Sequence, residues 1–350
     1  MQIAQYLNQE MKSITIREGA NQVKLNIIVP VSPQEPLSVI ERSVESLSRL
    51  EHGDIAKVHT TYVIDVHRPD DPRVAYLQSK SHLCTIVRTH GRGRRAGAIN
   101  DALDKIGKTD YLAFFDVDSR PDSNFLVECV RKLEENGAVI ASAPRYITNP
   151  DASLTARIVA TEYAILTDIY QLLERYDGFK QFNGLVGVLD AQVFDNRGLD
   201  ESTACEDVDI TQQVYLGGGI AVLAERTCVG EQAPGTLKDY YNQRTRWING
   251  AYEGLNRYLS AFVRAKIPMS RKITWLSATA LPFVIFLFSP LTLLYGIRLW
   301  KSCNDIKDFT IRVFGLILHA WILQVCSLNV LLRRLFNMQI EWKEMGRSDI

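Results

Sequence analysis

The sequence predicts an α/β fold, a mostly parallel sheet flanked by helices, followed by interfacial and transmembrane helices at the carboxyl end. Three observations carry that prediction. Strand-like and helix-like hydrophobic patterns alternate from residue 23 to about 225, as parallel strands joined by crossover helices require. The 350 residues are 46% hydrophobic and 23% charged, which suits a packed core. The last third differs in kind: the run 273–297 holds no charged residue.

Taken in order, Val23 to Val29 is a β-rich run ended by Pro30. Leu37, Ile40, Val44, Leu47 and Leu50 repeat at helical spacing. Tyr62–Ile64 and Leu83–Val87 read as buried strands, Ala96 to Ile106 as a helix, and Tyr111 to Phe115 as a strand. Leu126 to Leu133 returns to helix and Ala138–Ala141 to strand. Val208 to Leu216 is helix-like, and 237–258 is compatible with a longer helix. In such sheets ligands bind beyond the carboxyl ends of the strands, where Pro30, Asp65 and Asp116 fall.

Charge and cysteine usage narrow the class. Lysine plus arginine equals aspartate plus glutamate, 40 each, so no overall charge favours a nucleic acid partner. The 6 cysteines form no C-x-x-C pair, which points away from zinc or a disulfide framework and toward a reducing compartment. The 6 histidines form no spaced pair. Residues 1–22 hold no apolar run of the kind a signal peptide needs.

The run 273–297 exceeds the roughly 20 residues that cross a bilayer. A second run, 313–332, is interrupted by His319, Gln324 and Asn329. Arg257, Arg264, Lys266, Arg271 and Lys272 precede the first run, and Arg333 and Arg334 follow the second. Arg298, Lys301, Lys307 and Arg312 lie in the connection, partly offset by Asp305 and Asp308, so the positive-inside rule favours both ends, with the preceding domain, on the cytoplasmic side by a small margin. Pro282 and Pro290 leave a re-entrant or interfacial hairpin as the alternative. The expected division is an extension (1–22), an α/β domain (23–255), a basic interfacial segment (256–272), a transmembrane helix (273–297), a transmembrane or interfacial helix (313–332) and a polar tail (333–350).

Five motifs carry chemistry. Asp116-Val117-Asp118 ends a strand, and its carboxylates suit Mg²⁺ or Mn²⁺ beside a diphosphate; the plainer reading is a solvated strand exit. Gly91-Arg92-Gly93-Arg94-Arg95 leads into a helix, whose N–H groups and arginines suit an anion; a basic surface loop is the alternative. Asp65 ends a strand and can accept from a nucleobase N–H, although Pro69-Asp70-Asp71-Pro72 also reads as an ordinary turn. Cys205-Glu206-Asp207 precedes a helix, so Asp207 is either a first-turn acid favoured by the helix dipole or a general base. Gln243-Arg244-Thr245-Arg246-Trp247 offers Arg246 to phosphate and Trp247 to a sugar ring, or else an amphipathic helix at a membrane interface.

Order matters more than any single motif. Val29-Pro30-Val31, Asp65, Arg95 to Asn100, Asp116 to Asp118, Phe182-Asn183-Gly184, Cys205 to Asp207 and Gln243 to Trp247 follow one another. Over residues 23 to about 255 this resembles the family 2 glycosyltransferases of the GT-A fold, in the branch with cellulose, chitin and hyaluronan synthases and ceramide glucosyltransferases. The pairing of a [T/C]-E-D motif with Q-x-x-R-W is its specific part.

The resemblance implies a metal-dependent, inverting hexosyltransferase of polysaccharide or glycolipid biosynthesis. Its donor would be a UDP-sugar and its acceptor a glycan or a lipid. Asp65 would contact the uracil, near Pro30. Asp118 would hold Mg²⁺ or Mn²⁺ with the diphosphate, and Asp116 the nucleotide side of the donor. Arg95 stands where the family often has lysine. Asp207 would be the base, and Gln243, Arg246 and Trp247 would border the diphosphate and the acceptor sugar. Cys205 takes the place of the usual threonine. Polysaccharide synthases of the branch carry more membrane helices, which favours a lipid acceptor, a homo-oligomer or membrane partner subunits. An inactive nucleotide-sugar-binding membrane scaffold and a soluble-type nucleotidyltransferase are the rival classes.

Overall fold

A computed structural model of the chain describes residues 23–338, apart from 69, 196–197, 289, 291–294, 296–299, 301–302 and 304. The expected 1–22 extension lies outside the described residues, as does most of the 333–350 tail.

The leading half alternates as expected: β1 (Lys24–Val31), α1 (Leu37–Ser48), β2 (Lys57–Asp65), α2 (Pro72–Gln78), β3 (Leu83–Arg88), α3 (Arg94–Leu103) and β4 (Tyr111–Phe114). β5 (Arg120–Pro121), α4 (Phe125–Asn136), β6 (Ile140–Ser142), β7 (Arg145–Ile147) and α5 (Leu154–Arg175) follow. Then come β8 (Gly187–Asp190), α6 (Glu206–Leu216), β9 (Ala221–Leu223), β10 (Val229–Glu231) and α7 (Leu237–Arg264). The 22-residue helix α5 was not among the expected elements.

Seven strands form the main sheet in the order β3-β2-β1-β4-β8-β6-β9. β1 pairs in parallel with β2 and β4, and β2 with β3. β8 runs antiparallel to both its neighbours, β4 and β6. A second sheet, β5-β10-β7, is small. Side chains alternate across the main sheet with the two-residue period of a strand. Leu25, Ile27, Val29 and Val31 enter one core, while Ile28, Val63 and Phe114 enter the other. This order brings the carboxyl ends of β1, β2 and β4 side by side, with Pro30, Asp65 and Asp116 along one edge.

Residues 273–297 do not begin as one spanning helix. α8 (Met269–Ala280) ends there, and the chain continues as 3-10 turns over Leu281–Phe283 and Ile285–Phe288. Pro282 explains the break, because its ring leaves no N–H for a helix and crowds the preceding turn. Trp275 is 2% exposed, stacks on Phe262 at 4.1 Å and donates its Nε1–H to Gln212 Oε1 at 3.1 Å. Ile273 and Leu276, on the other face, are exposed. The start of the run is thus an amphipathic helix packed on the domain.

The run 313–332 lies within α9 (Ile306–Leu335), 30 residues with a mean hydropathy of 1.8 over its most apolar stretch. Among the described residues it is the one helix long and apolar enough to cross a membrane. Leu316, Ala320, Cys326 and Val330 face the protein, whereas Phe314, Trp321, Val325 and Leu328 are exposed. α7 runs unbroken through the boundary expected at residue 255.

Candidate active site

The loop after β4 is a tight turn. The Asp116 N–H donates to Ser119 Oγ at 3.1 Å, and the Ser119 N–H returns to the Asp116 carbonyl at 2.9 Å. The turn sends the two carboxylates to different neighbours. Asp116 is ion-paired to Arg95 at 3.0 Å and a third of its side chain is exposed (34%). Asp118 is buried and lines an open cavity of about 460 Å³ with Arg42, Arg120, Asn149 and Gln232. None of the other expected site residues lines that cavity.

Arg95 is the hub. Gly93, at φ +65°, ends the preceding loop in the left-handed region and starts α3, so Arg95 lies in its first turn. Besides Asp116 it pairs with Glu206 at 3.3 Å and donates to the Gly184 carbonyl. Burial raises the Glu206 carboxyl above its usual range, and Arg95 opposes the shift. Arg92, another arginine of this loop, is already paired with Asp101 and Glu201. Of the three arginines in the anion-binding loop expected at 91–95, Arg92 and Arg95 are therefore engaged by carboxylates.

Gly184 closes the circuit. Its φ of +64° suits a glycine, and it presents its N–H to Asp207 Oδ2 at 2.5 Å. Asp207 Oδ1 accepts from the Val208 N–H at 2.9 Å. Asp207 sits in the first turn of α6, where the helix dipole favours a negative charge. An ionised carboxylate has about four lone-pair sites, so accepting two N–H bonds leaves room for a hydroxyl proton. Arg145 ties the loop from behind, donating to the Asn183 carbonyl at 3.1 Å while paired with Glu231.

α7 brings the last motif to the same place. The Cys205 thiol donates to the Arg246 carbonyl at 3.7 Å. A Cβ at Gly250 would stand only 2.5 Å from Cys205 Sγ, so this helix reaches the Cys205-Glu206-Asp207 turn because residue 250 has no side chain. Arg246 and Trp247 are part-buried. Arg244 is 2% exposed, paired with Glu162, and donates to Gln243 Oε1 at 2.8 Å.

The sheet edge supplies the remaining residues. Pro30 pairs with Val63 across β1 and β2. Asp65 ends β2 and meets Arg88 at 3.1 Å, and burial pushes its carboxyl up despite that cation. Arg95, Asp116, Gly184, Glu206 and Asp207 are therefore linked directly, with Arg246 beside Cys205, while Asp65 and Pro30 stand apart on the neighbouring strands. Glu206 was legible as part of its motif. Arg145 and Glu231 were not, because nothing in the sequence links residues 86 positions apart.

The donor set fits a hard divalent cation in part. Asp116 and Asp118 are oxygen ligands of the right kind. Among the described residues no three His, Cys, Asp or Glu side chains cluster as a metal site. Mg²⁺ or Mn²⁺ would thus be held by one or two carboxylates, with a diphosphate and water completing its shell.

The model described as Glycosyl transferase family group 2 matches residues 111–332, and that of Glycosyl transferase family 2 matches 27–188. A probable glucomannan 4-beta-mannosyltransferase 11 of Oryza sativa is 30% identical over 47% of this chain and 30% of its own length. Glucomannan 4-beta-mannosyltransferase 9 of Arabidopsis thaliana is 27% identical over 47% of this chain and 32% of its own. The chain thus matches about a third of each of these relatives. Among solved structures, the mannosyltransferase PcManGT of Pyrobaculum calidifontis, in complex with GDP-Man and Mn²⁺, aligns with a TM-score of 0.62 at 14% identity. That alignment spans 96% of this chain and 94% of the other. S. aureus TarS 1–349 aligns with a TM-score of 0.50 at 13% identity, over 90% and 92%. With the GT-A fold shared and the family group 2 model covering more than half of its length, the chain belongs to the family 2 glycosyltransferases.

Proposed function

We propose that the protein is a membrane-associated, inverting glycosyltransferase, moving a hexose from a nucleoside diphosphate sugar to a hydroxyl of a glycan or lipid-linked acceptor. The observation that carries this reading is the circuit Asp116–Arg95–Glu206 with Asp207 beside it. It sets a carboxylate fit to take a proton beside the Asp116-Val117-Asp118 loop, whose carboxylates could take a divalent cation with a diphosphate. The acceptor hydroxyl gives its proton to Asp207. Its oxygen attacks the anomeric carbon from the face opposite the phosphate, and the C–O bond to the diphosphate breaks with its electron pair on the leaving group. Arg246 has no ion-pair or hydrogen-bond partner for its guanidinium among the described residues, which leaves its fork of donors for the departing phosphates. A bound Mg²⁺ or Mn²⁺ would neutralise the same charge.

The motif resemblance favours a UDP-sugar, whereas the mannosyltransferase relatives bring GDP-mannose forward. Asp65 can accept from uracil or from guanine, since both present N–H donors. The exposed apolar face of α9 and the basic residues 257–272 support seating on an anionic cytoplasmic membrane surface. The test is incubation of detergent-solubilised protein with UDP-glucose, UDP-N-acetylglucosamine and GDP-mannose, with Mg²⁺ or Mn²⁺. Glycan and lipid acceptors are added in separate arms. The expected result is cation-dependent release of the nucleoside diphosphate from one donor, with a β-linked product from an α-linked donor. Release from none of them, in any acceptor arm, rejects the proposal.

A further inference from the structure

The Q-x-x-R-W helix carries a second arginine that the proposed chemistry does not use. Arg244 is among the largest fully buried side chains. Its guanidinium lies 4.0 Å from the ring centre of Trp247 and 4.7 Å from that of Tyr240. These residues are three positions ahead and four behind, so all share one helix face. Glu162, on α5, pairs with Arg244 from across the interface. His319, on α9, hydrogen-bonds to the Tyr240 hydroxyl and stands 3.7 Å from Glu162 Oε2. A buried guanidinium is costly unless fully paired, and pairs of this kind are often replaceable by apolar residues without loss of stability. Stability alone therefore does not account for it, and its geometry does: it backs the ring of Trp247, which is itself only part-buried.

We propose that Glu162 and Arg244 are positioning residues for Trp247. Glu162 fixes the guanidinium, the guanidinium fixes the indole, and the indole is presented as a flat surface for the acceptor sugar. The last step rests on the proposed function; the first two do not. Through His319 the platform is also tied to α9, so the apolar helix bears on the site as well as on any membrane.

The test uses the full chain labelled with 5-fluorotryptophan and followed by ¹⁹F NMR in detergent. The sequence has 5 tryptophans, and Trp247→Phe assigns the resonance of interest. Glu162→Gln changes a residue two contacts away from the ring. Arg244→Lys keeps the charge opposite Glu162 but loses the flat fork. Both are expected to shift or broaden the Trp247 resonance and leave the others in place. With a donor that turns over, and a short β-linked mannan or glucan as acceptor, both are also expected to raise the acceptor KM roughly ten-fold, with donor Kd unchanged. If Glu162→Gln does not fold, the paired variant Glu162→Leu with Arg244→Met removes both charges together and carries the same expectation. An undisturbed Trp247 resonance, or equal disturbance of every tryptophan, overturns the positioning role. A disturbed Trp247 with unchanged acceptor KM overturns the acceptor platform. Wild-type protein that turns over no donor overturns the enzymatic reading alone, because the resonance result stands apart from it.

Discussion

The Arg95 guanidinium lies 3.0 Å from the Asp116 carboxylate, and the same group reaches Glu206 at 3.3 Å. One side chain thus joins the D-x-D loop to the [T/C]-E-D turn, two motifs separated by much of the domain. Arg95→Ala is expected to lower kcat/KM by about a hundred-fold or more. It also leaves the part-buried Glu206 without its cation, so a lower melting temperature is expected. Arg95→Lys keeps the charge but cannot serve three acceptors with one planar fork, so an intermediate rate is expected. Turnover assays and thermal melts on both variants decide the matter. A wild-type rate in Arg95→Ala would detach the network from catalysis.

Asp207→Asn tests the base. An amide can still accept from one of the Gly184 and Val208 N–H groups, so the turn should hold, but it cannot take a proton. The expected outcome is loss of transfer by about 10²–10⁴-fold, the usual worth of general-base catalysis. Donor binding by calorimetry should change little. Transfer at the wild-type rate would remove Asp207 from the role.

Asp118→Ala tests the cation. Nucleoside diphosphate binding should weaken in Mg²⁺ or Mn²⁺ and become indifferent to chelator. Wild-type protein should lose affinity when EDTA is added. Equal binding with and without the cation in wild type would refute the metal reading.

Much of this site was legible from residue order, and what was missed has physical causes. Strands with β-branched runs, such as Val23 to Val29, declare themselves, and so do the acids that end them. Strand direction does not, because an antiparallel β8 carries the same period-two pattern as a parallel strand. The two arginines of Gln243 to Trp247 are chemically alike. Only the packing of α5 against α7 shows that Arg244 is spent on Glu162 while Arg246 is not. The packing of the start of the run 273–297 on the domain was not legible for a similar reason. Hydropathy counts apolar residues but does not see that Phe262, on another helix, takes up Trp275.

Asp65 gives the pH prediction. Burial raises its carboxyl pKa, with Arg88 opposing. The ionised form is the one that accepts a nucleobase N–H. Nucleotide affinity should therefore be full above the raised pKa and fall on acidification, starting at a higher pH than for an ordinary aspartate. The same shift makes Asp65 favour folding less as pH rises, since the folded state holds its proton more tightly than the unfolded chain. Asp65→Asn should flatten the acid limb of a Kd-versus-pH titration. An unchanged limb in that variant would assign the titration to another group.

Trp275 separates a helix packed on the domain from one immersed in lipid. Its stacking on Phe262 and its bond to Gln212 place it in the domain core beside Tyr215 and Phe179. Trp275→Ala should then cost about 3–5 kcal/mol, as removal of a buried aromatic side chain does. It should also lower the melting temperature of the protein in detergent by several degrees. Leu276→Ala, on the exposed face of the same helix, should leave the melt nearly unchanged while weakening association with anionic vesicles. If lipid contact rather than core packing held this helix, the two substitutions would exchange effects. Trp275→Ala would then melt like wild type and lose vesicle binding, a pattern that a pair of melts and flotation assays distinguishes directly.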